Sequence, residues 1–178
     1  MMLSLNSLER FGLAWLLVPA LLMTGCVIRG NGYSFKGISI PPEVDTYYVA
    51  LFDNQAPSAL PTLPRDFTER MKDKIRQETR LQYDDVDPDI EFSGIITDYR
   101  VTAEAPKAGE QIGFNKLTIV MQVSFTNNRN EKADWKQQFS FEDFFGATDN
   151  LLDVQDALVE NISKELAERI FNKAFTNW

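Results

Sequence analysis

The sequence predicts an α+β fold, a two-layer sandwich in which two helices pack on one face of a four-stranded mixed β-sheet (β-α-β-β-β-α). Two segments repeat apolar side chains at helical spacing, each along a single stripe. Four other segments alternate or concentrate apolar side chains as strands do. A helix with one apolar stripe buries it against one side of a sheet, so the two helices should cover the same face.

The first strand and helix lie between residues 44 and 76. Both alternating sets of residues 44–52 are apolar, which indicates an interior strand. Thr62 is the predicted N-cap of the following helix. Its apolar stripe has a spacing of four and consists of Leu63, Phe67, Met71 and Ile75.

Three strands should follow. In the first, the apolar phase slips near Thr97 and Asp98, which predicts a β-bulge there. The second and third are joined by a turn at residues 127–130 and form a hairpin. The sheet face opposite the helices should be semi-polar, suited to enclosure by a wet environment, and is formed by Lys116, Thr118, Gln122, Ser124, Gln138 and Ser140.

A long C-terminal helix begins after Asn150, its predicted N-cap. The chain ends with three aromatic residues, Phe171, Phe175 and Trp178. Because three aromatic side chains are costly to leave in water, we expect them to dock on the sheet. The alternative is that these aromatic residues form a surface for a partner protein.

The N-terminal segment is typical of a bacterial lipoprotein signal peptide. Residues 11–23 form an apolar run that is too short to span a membrane and is interrupted by Pro19. Small Thr24 and Gly25 then precede Cys26, the one cysteine of the chain and the predicted lipidation site. The alternative is a buried free thiol. We therefore expect a signal peptide at 1–25, a lipidated tether at 26–32 and one domain at 33–178.

Composition argues against an enzyme and against a nucleic-acid partner. The formal net charge is −8 and the chain has no histidine, so the commonest general base is missing. The acidic segment 83–89 begins like an EF-hand loop, but Ile90 replaces the required glycine and Ile96 replaces the final glutamate. We interpret this segment as a solvated loop and expect no metal and no cofactor.

Several segments together resemble the LptE family of lipopolysaccharide-assembly lipoproteins, in its short, Bacteroidetes-like form. The resemblance begins at Cys26 and covers essentially the whole chain after it. It is carried by residues 32–37, 40–43, 54–57, 67–73, 92–97, 115–119, 123–127 and 170–178.

The resemblance implies a non-enzymatic outer-membrane lipoprotein that faces the periplasm and plugs an LptD β-barrel. Such a protein helps the barrel assemble and supports lipopolysaccharide transport to the outer leaflet. The alternative is a lipid-anchored periplasmic chaperone or tether of a different outer-membrane assembly complex. A third hypothesis is a periplasmic domain that binds or hydrolyses a small molecule. The absence of metal-ligand clusters and nucleophile–histidine pairs from the sequence disfavours it.

The family's lipopolysaccharide contacts are basic, and the candidates here lie at strand ends or in loops. Exposed cations serve solubility more often than binding, which is the competing interpretation for each of them. The candidates are Arg100, Lys107, Lys116, Arg129 and Lys132.

Overall fold

Within residues 37–105 and 113–176, two helices and a six-stranded mixed sheet form the fold. The predicted α+β class is confirmed, and the sheet has two more strands than expected. The computed structural model describes residues 37–105 and 113–176. Along the chain the elements are β1 (Thr46–Val49), β2 (Asp53–Asn54), α1 (Leu63–Glu78), β3 (Gln82–Tyr83), β4 (Ile90–Glu104), β5 (Phe114–Asn127), a 3₁₀ turn (Glu131–Ala133), β6 (Trp135–Gly146) and α2 (Leu151–Phe175).

The strand order is β3-β1-β4-β5-β6, and β2 pairs with β4 beyond the end of β1. β1 is parallel to β3 and β4, and β2 is parallel to β4. The β4–β5 and β5–β6 pairs are antiparallel. β1 therefore lies inside the sheet, as the sequence predicted, and the hairpin between β5 and β6 is confirmed.

The single strand predicted over residues 44–52 is wrong in its extent. Pairing with β4 is interrupted after the amide of Ala50, which donates to the carbonyl of Phe92 at 2.8 Å. Phe52 then turns into the core, where its ring lies 4.9 Å from that of Phe67, and Leu51 is left exposed. Pairing resumes at Asp53 and gives the second short strand. β3 has only two residues, too few for periodicity to reveal.

The predicted bulge lies where the apolar phase slips. The β4–β5 register shifts between Ile96 and Asp98, and the hydroxyl of Thr97 donates to the carbonyl of Val120 at 3.2 Å. In a regular strand, side chains three positions apart point to opposite faces. Because the bulge adds one residue, Ile96 and Tyr99 are three positions apart and yet both are buried in the core.

Both helices pack on the same side of the sheet. The stripe of α1 is buried, with Phe67, Met71 and Ile75 fully inaccessible. On α2, Phe175 contacts Phe92 of β4 with ring centroids 6.0 Å apart. Phe171 and Phe175 are both core residues. One contiguous apolar core therefore separates the helices from the sheet.

Of the two predicted N-cap residues, Asn150 makes a capping hydrogen bond through its side chain and Thr62 does not. The side chain of Asn150 accepts a hydrogen bond from the amide of Leu152 at 3.3 Å, as predicted. The side chain of Thr62 makes no capping hydrogen bond, because that residue already has helical backbone angles. Pro64 in the first turn lacks an amide hydrogen, which reduces the need for a cap.

Gly94 of β4 provides the first test of this packing. A Cβ at this position would overlap the ring of Phe52, which lies across the glycine. We expect Gly94→Ala to lower the free energy of unfolding by about 2 kcal/mol in urea denaturation, since added volume in a packed core causes strain.

Two variants make the Gly94 test specific. Phe52→Leu combined with Gly94→Ala should recover part of the loss, because the smaller side chain makes room for the methyl group. Ser93→Ala, at the adjacent exposed position, should change stability little. Wild-type stability of Gly94→Ala would contradict the packing described here.

Candidate functional site: the open face of the sheet

The face of the sheet opposite the helices is formed by alternate residues of β4, β5 and β6. Register places Thr118 between Arg100 and Glu142, Gln122 opposite Gln138, and Val120 opposite Ser140. The polar residues that the sequence assigned to this face all lie on it. We call this surface the open face; its members on the three strands are Glu91, Ser93, Ile95, Asp98, Arg100, Thr102, Glu104, Phe114, Lys116, Thr118, Val120, Gln122, Ser124, Thr126, Lys136, Gln138, Ser140, Glu142 and Phe144.

Lys116 joins all three long strands on the open face. Its ammonium lies 2.7 Å from a carboxylate oxygen of Glu104 on β4 and 3.4 Å from one of Glu142 on β6. The hydrogen bond to Glu104 raises the pKa of Lys116 above its usual value, so the amine stays charged. Arg100 pairs similarly with Asp98 two residues before it on β4. Both cations are therefore largely neutralised by their neighbours.

Two residues at the centre of the open face are buried. Thr118 and Val120 are buried there, although neither belongs to the core beneath the helices. The three long strands that form this face give it the extent that contact with another extended surface requires.

Two exposed phenylalanines lie at one end of the open face. Phe114 is 44% exposed and Phe144 is 52% exposed. They occupy diagonal positions on β5 and β6, since Phe114 is paired with Gly146 and Phe144 with Lys116. Large exposed aromatic side chains beside polar ones are the residues that anchor protein interfaces.

The basic residues predicted to contact lipopolysaccharide are not brought together. Arg100 and Lys116 lie on the open face, whereas Arg129 and Lys132 lie beyond the opposite end of β5. Eleven residues of strand, roughly 37 Å, separate Lys116 from the end of β5. Cys26, Lys107 and Trp178 are outside the described residues.

Arg129 has a structural partner. Its guanidinium Nε donates to Asp89 Oδ1 at 2.5 Å, and Asp89 is only 4% exposed. Asp89 Oδ2 also accepts from the amides of Asp45 and Thr46, at 2.7 and 3.0 Å. These backbone hydrogen bonds, the one from Asp45 foremost, and Arg129 lower the pKa of Asp89 to about 2.

The interpretation of segment 83–89 as a solvated loop is therefore wrong at Asp89. This carboxylate ties the start of β1 to the start of β4 and to the β5–β6 turn. Its partners lie 40 to 44 residues away in the sequence, so no local pattern could have revealed them.

No group of three or more acidic, cysteine or histidine residues in the described part of the chain could hold a metal ion. Over the same residues, no helix has the length and apolar character that crossing a membrane requires.

Comparison with known proteins shows the family to which this chain belongs. A family model for LptE, described as lipopolysaccharide-assembly, matches residues 44–174. The chain therefore belongs to the LptE family and has a role in lipopolysaccharide transport. These are non-enzymatic assembly proteins, which confirms the prediction that the chain is not an enzyme. A search of curated proteins finds no match.

Solved structures with similar folds share little sequence with this chain. The solution structure of an uncharacterized lipoprotein B from Nitrosomonas europaea has a TM-score of 0.52 and 11% identity, covering 80% of this chain and 88% of that one. A minor lipoprotein from Acinetobacter baumannii has a TM-score of 0.47 and 8% identity, covering 72% and 91%. The first likeness supports the fold alone.

Asp89 provides a test of the buried hydrogen-bond cluster. Replacing it in Asp89→Asn removes the charge that two amides and Arg129 recognise, and should lower the free energy of unfolding by about 2 kcal/mol at neutral pH. The carboxylate has a lower pKa in the folded state than the unfolded value of about 3.9. Its stabilisation is therefore complete above the unfolded pKa and lost as pH falls towards the folded value.

The measurement is urea unfolding of wild type and variant from neutral pH downwards. Their stabilities should converge between about pH 4 and pH 2. Asp87→Asn, at an exposed position of the same loop, should follow the wild type at every pH. A constant difference between Asp89→Asn and wild type across this range would exclude ionisation of Asp89 as the cause.

Proposed function

We propose that this chain is a lipid-anchored lipoprotein that plugs an LptD-like outer-membrane β-barrel, helps it assemble and thereby supports lipopolysaccharide transport to the outer leaflet. The family match over residues 44–174 carries the proposal. The open face supplies the surface on which a barrel wall would close.

The polarity of the open face supports enclosure in a wet lumen. A soluble domain leaves one side of an antiparallel sheet in water without difficulty. Here that side is unusually regular, because three strands of 12 to 15 residues run beside one another. Threonine, serine and glutamine side chains cover its middle and can exchange hydrogen bonds between water and a polar barrel interior.

The cations Lys116 and Arg100 of the open face can be enclosed by a barrel without losing their ion-pair partners. Lys116 and Arg100 are matched by acidic neighbours within the face, so enclosure does not leave these cations unpaired. An unpaired charge taken out of water would be costly. Phe114 and Phe144, at one end of the face, then supply exposed aromatic side chains of the kind that anchor interfaces.

Attachment to the membrane depends on Cys26 in this proposal. A net charge of −8 gives no attraction to an anionic membrane surface. A lipidated N-terminus would instead hold the domain beside its partner and raise its effective concentration there.

Loss of the aromatic pair tests the open face as the barrel contact. We expect Phe114→Ser combined with Phe144→Ser to reduce recovery of an LptD-like barrel about tenfold in pull-downs from detergent-solubilised outer membranes, because exposed aromatics dominate interface energies. Leu152→Ser, which removes a 76% exposed apolar side chain at the start of α2, should leave recovery unchanged. Thermal unfolding should confirm that all variants are folded.

Two results would contradict this proposal in different ways. Undiminished barrel recovery by the double variant would show that another surface makes the contact. Recovery of a different envelope complex with no barrel would favour the chaperone or tether function.

Cys26→Ala tests the anchor separately. If the signal peptide is still removed, the variant should fold with wild-type thermal stability and appear in the soluble periplasmic fraction. Membrane fractionation and the mass of the mature protein measure this outcome. Continued partition with the outer membrane after proven cleavage would show that protein contacts suffice for localisation.

A further inference from the structure

β6 is the outermost strand at one edge of the sheet and pairs on one side only, with β5. Its register with β5 has no shift from one end to the other, so no bulge turns the strand away from solvent. It contains no proline. Edge strands are commonly blocked by bulges or prolines, because free backbone amides and carbonyls attract a further strand. The outer edge of β6 lacks both forms of protection.

Alternate residues of β6 direct their backbone groups away from β5, as in every antiparallel pair. The carbonyl of Ser140 accepts a hydrogen bond from the guanidinium of Arg169 at 3.3 Å. The amide of Phe144 donates to Oδ1 of Asp143 at 2.9 Å. Neither contact is with β5, so the even-numbered residues are those whose backbone groups face outward.

The later part of this outer edge is closed and the earlier part is open. At the end of the strand, the amide of Gly146 donates to Oδ2 of Asp149 at 3.0 Å. Over residues 136–142, the bond from Arg169 is the one hydrogen bond that a described side chain makes to an outward-facing backbone group. A carbonyl oxygen has a second lone pair, so that bond does not exclude another donor. Residues 136–142 therefore offer a free edge.

This free edge is complementary to itself. In a second copy turned about a twofold axis at Phe139, the same stretch runs antiparallel, and side chains opposite each other point to the same face. Lys136 then lies opposite Glu142 of the second copy. Gln138 lies opposite Ser140. Both residues of each pair direct their backbone groups across the interface, so each pair exchanges two hydrogen bonds.

The charges of the edge favour this axis. Lys136 is exposed and has no ion-pair partner within the described residues. The side chain of Glu142 is 48% exposed and lies 3.4 Å from Lys116, whose closer partner is Glu104 at 2.7 Å. Lys136 thus supplies an unmatched positive charge opposite a carboxylate that is only loosely held. Opposite charges that face each other across two strands stabilise the pairing.

The neighbouring axes lack this match. An axis at Ser140 would place Lys136 opposite Phe144. An axis at Gln138 would place it opposite Ser140. An axis between two residues would set open-face side chains opposite helix-side ones such as buried Phe139, which a continuous sheet does not allow. Among these axes, the one at Phe139 satisfies both the faces and the charges.

We propose that two copies of this chain associate through antiparallel pairing of their β6 strands, with the twofold axis at Phe139. Such an interface is isologous, because each copy contributes the same edge to it. The two sheets become one continuous sheet, and the two open faces lie side by side. The pairing uses the backbone edge of β6, whereas the proposed barrel contact uses Phe114 and Phe144, so the two proposals fail separately.

Sedimentation equilibrium of the full chain in density-matched detergent, over a range of protein concentrations, tests the pairing. The wild-type chain should show a reversible equilibrium between monomer and dimer. Lys136→Glu should raise the dissociation constant of the dimer about tenfold, because it sets two like-charged pairs across the interface. Combining it with Glu142→Lys should restore association, since the opposite charges are then exchanged. Lys164→Glu, the same change at an exposed position of α2, should associate as wild type does.

Gln138→Pro tests the backbone pairing without altering the hydrogen bonds to β5. The amide at this position faces outward, where an edge strand tolerates proline. The variant should remain monomeric at concentrations at which the wild type is mostly dimeric. Thermal unfolding near the wild-type temperature should show that the variant is folded. The charge exchange decides independently should this variant be destabilised.

Disulfide cross-linking tests the register. Gln138→Cys and Ser140→Cys chains, both carrying Cys26→Ala to remove the native thiol, are oxidised separately and as a mixture. Residues in a hydrogen-bonded antiparallel pair have Cα atoms about 5.5 Å apart, a distance that a disulfide spans. The mixture should therefore cross-link efficiently and either chain alone weakly.

Four results would contradict this pairing. A monomer at every concentration would exclude the dimer, and association unchanged in Gln138→Pro would assign it to another surface. Failure of Glu142→Lys to rescue Lys136→Glu would reject the opposing charges. Stronger cross-linking in one chain alone than in the mixture would place the axis elsewhere.

Discussion

The antiparallel hydrogen bonding that joins β4, β5 and β6 fixes the arrangement of the whole domain. β5 pairs along its length with both neighbours and therefore sets which side chains face the helices and which face away. A shift of one residue in this register would exchange the two sets. The buried Leu117, Ile119 and Met121 would then lie in water, and Lys116 and Thr118 in the core.

The bulge at Thr97 allows β4 to pair with β5 along its whole length while its apolar side chains stay on the helix side of the sheet. Before it, Phe92 and Ile96 face the helices, and after it Tyr99 takes over that role. Tyr99 accepts a hydrogen bond from Gln155 of α2 at 2.6 Å, so the bulge also positions a polar contact inside the core. The open face keeps its own alternation on both sides of the bulge.

The parallel part of the sheet, formed by β1, β2 and β3 beside β4, is stabilised by a side chain in addition to strand pairing. β1, β2 and β3 are short, and their pairing alone offers few hydrogen bonds. Asp89 compensates by binding the amides of Asp45 and Thr46 while Arg129 approaches from the β5–β6 turn. A buried charge thus connects three parts of the chain, and its satisfied hydrogen bonds make it tolerable there. β3 is attached to this part of the sheet through its parallel pairing with β1.

The helices, the long strands, the bulge and the polar side of the sheet could all be predicted from the amino-acid sequence. Each is expressed in the periodicity of neighbouring residues, such as the alternation around Lys116 and Thr118 or the stripe from Leu63 to Ile75. The division of the first strand, the addition of β3 and the burial of Asp89 became visible only in the folded chain. These depend on residues far apart in the chain, whose meeting is set by packing and not by local pattern.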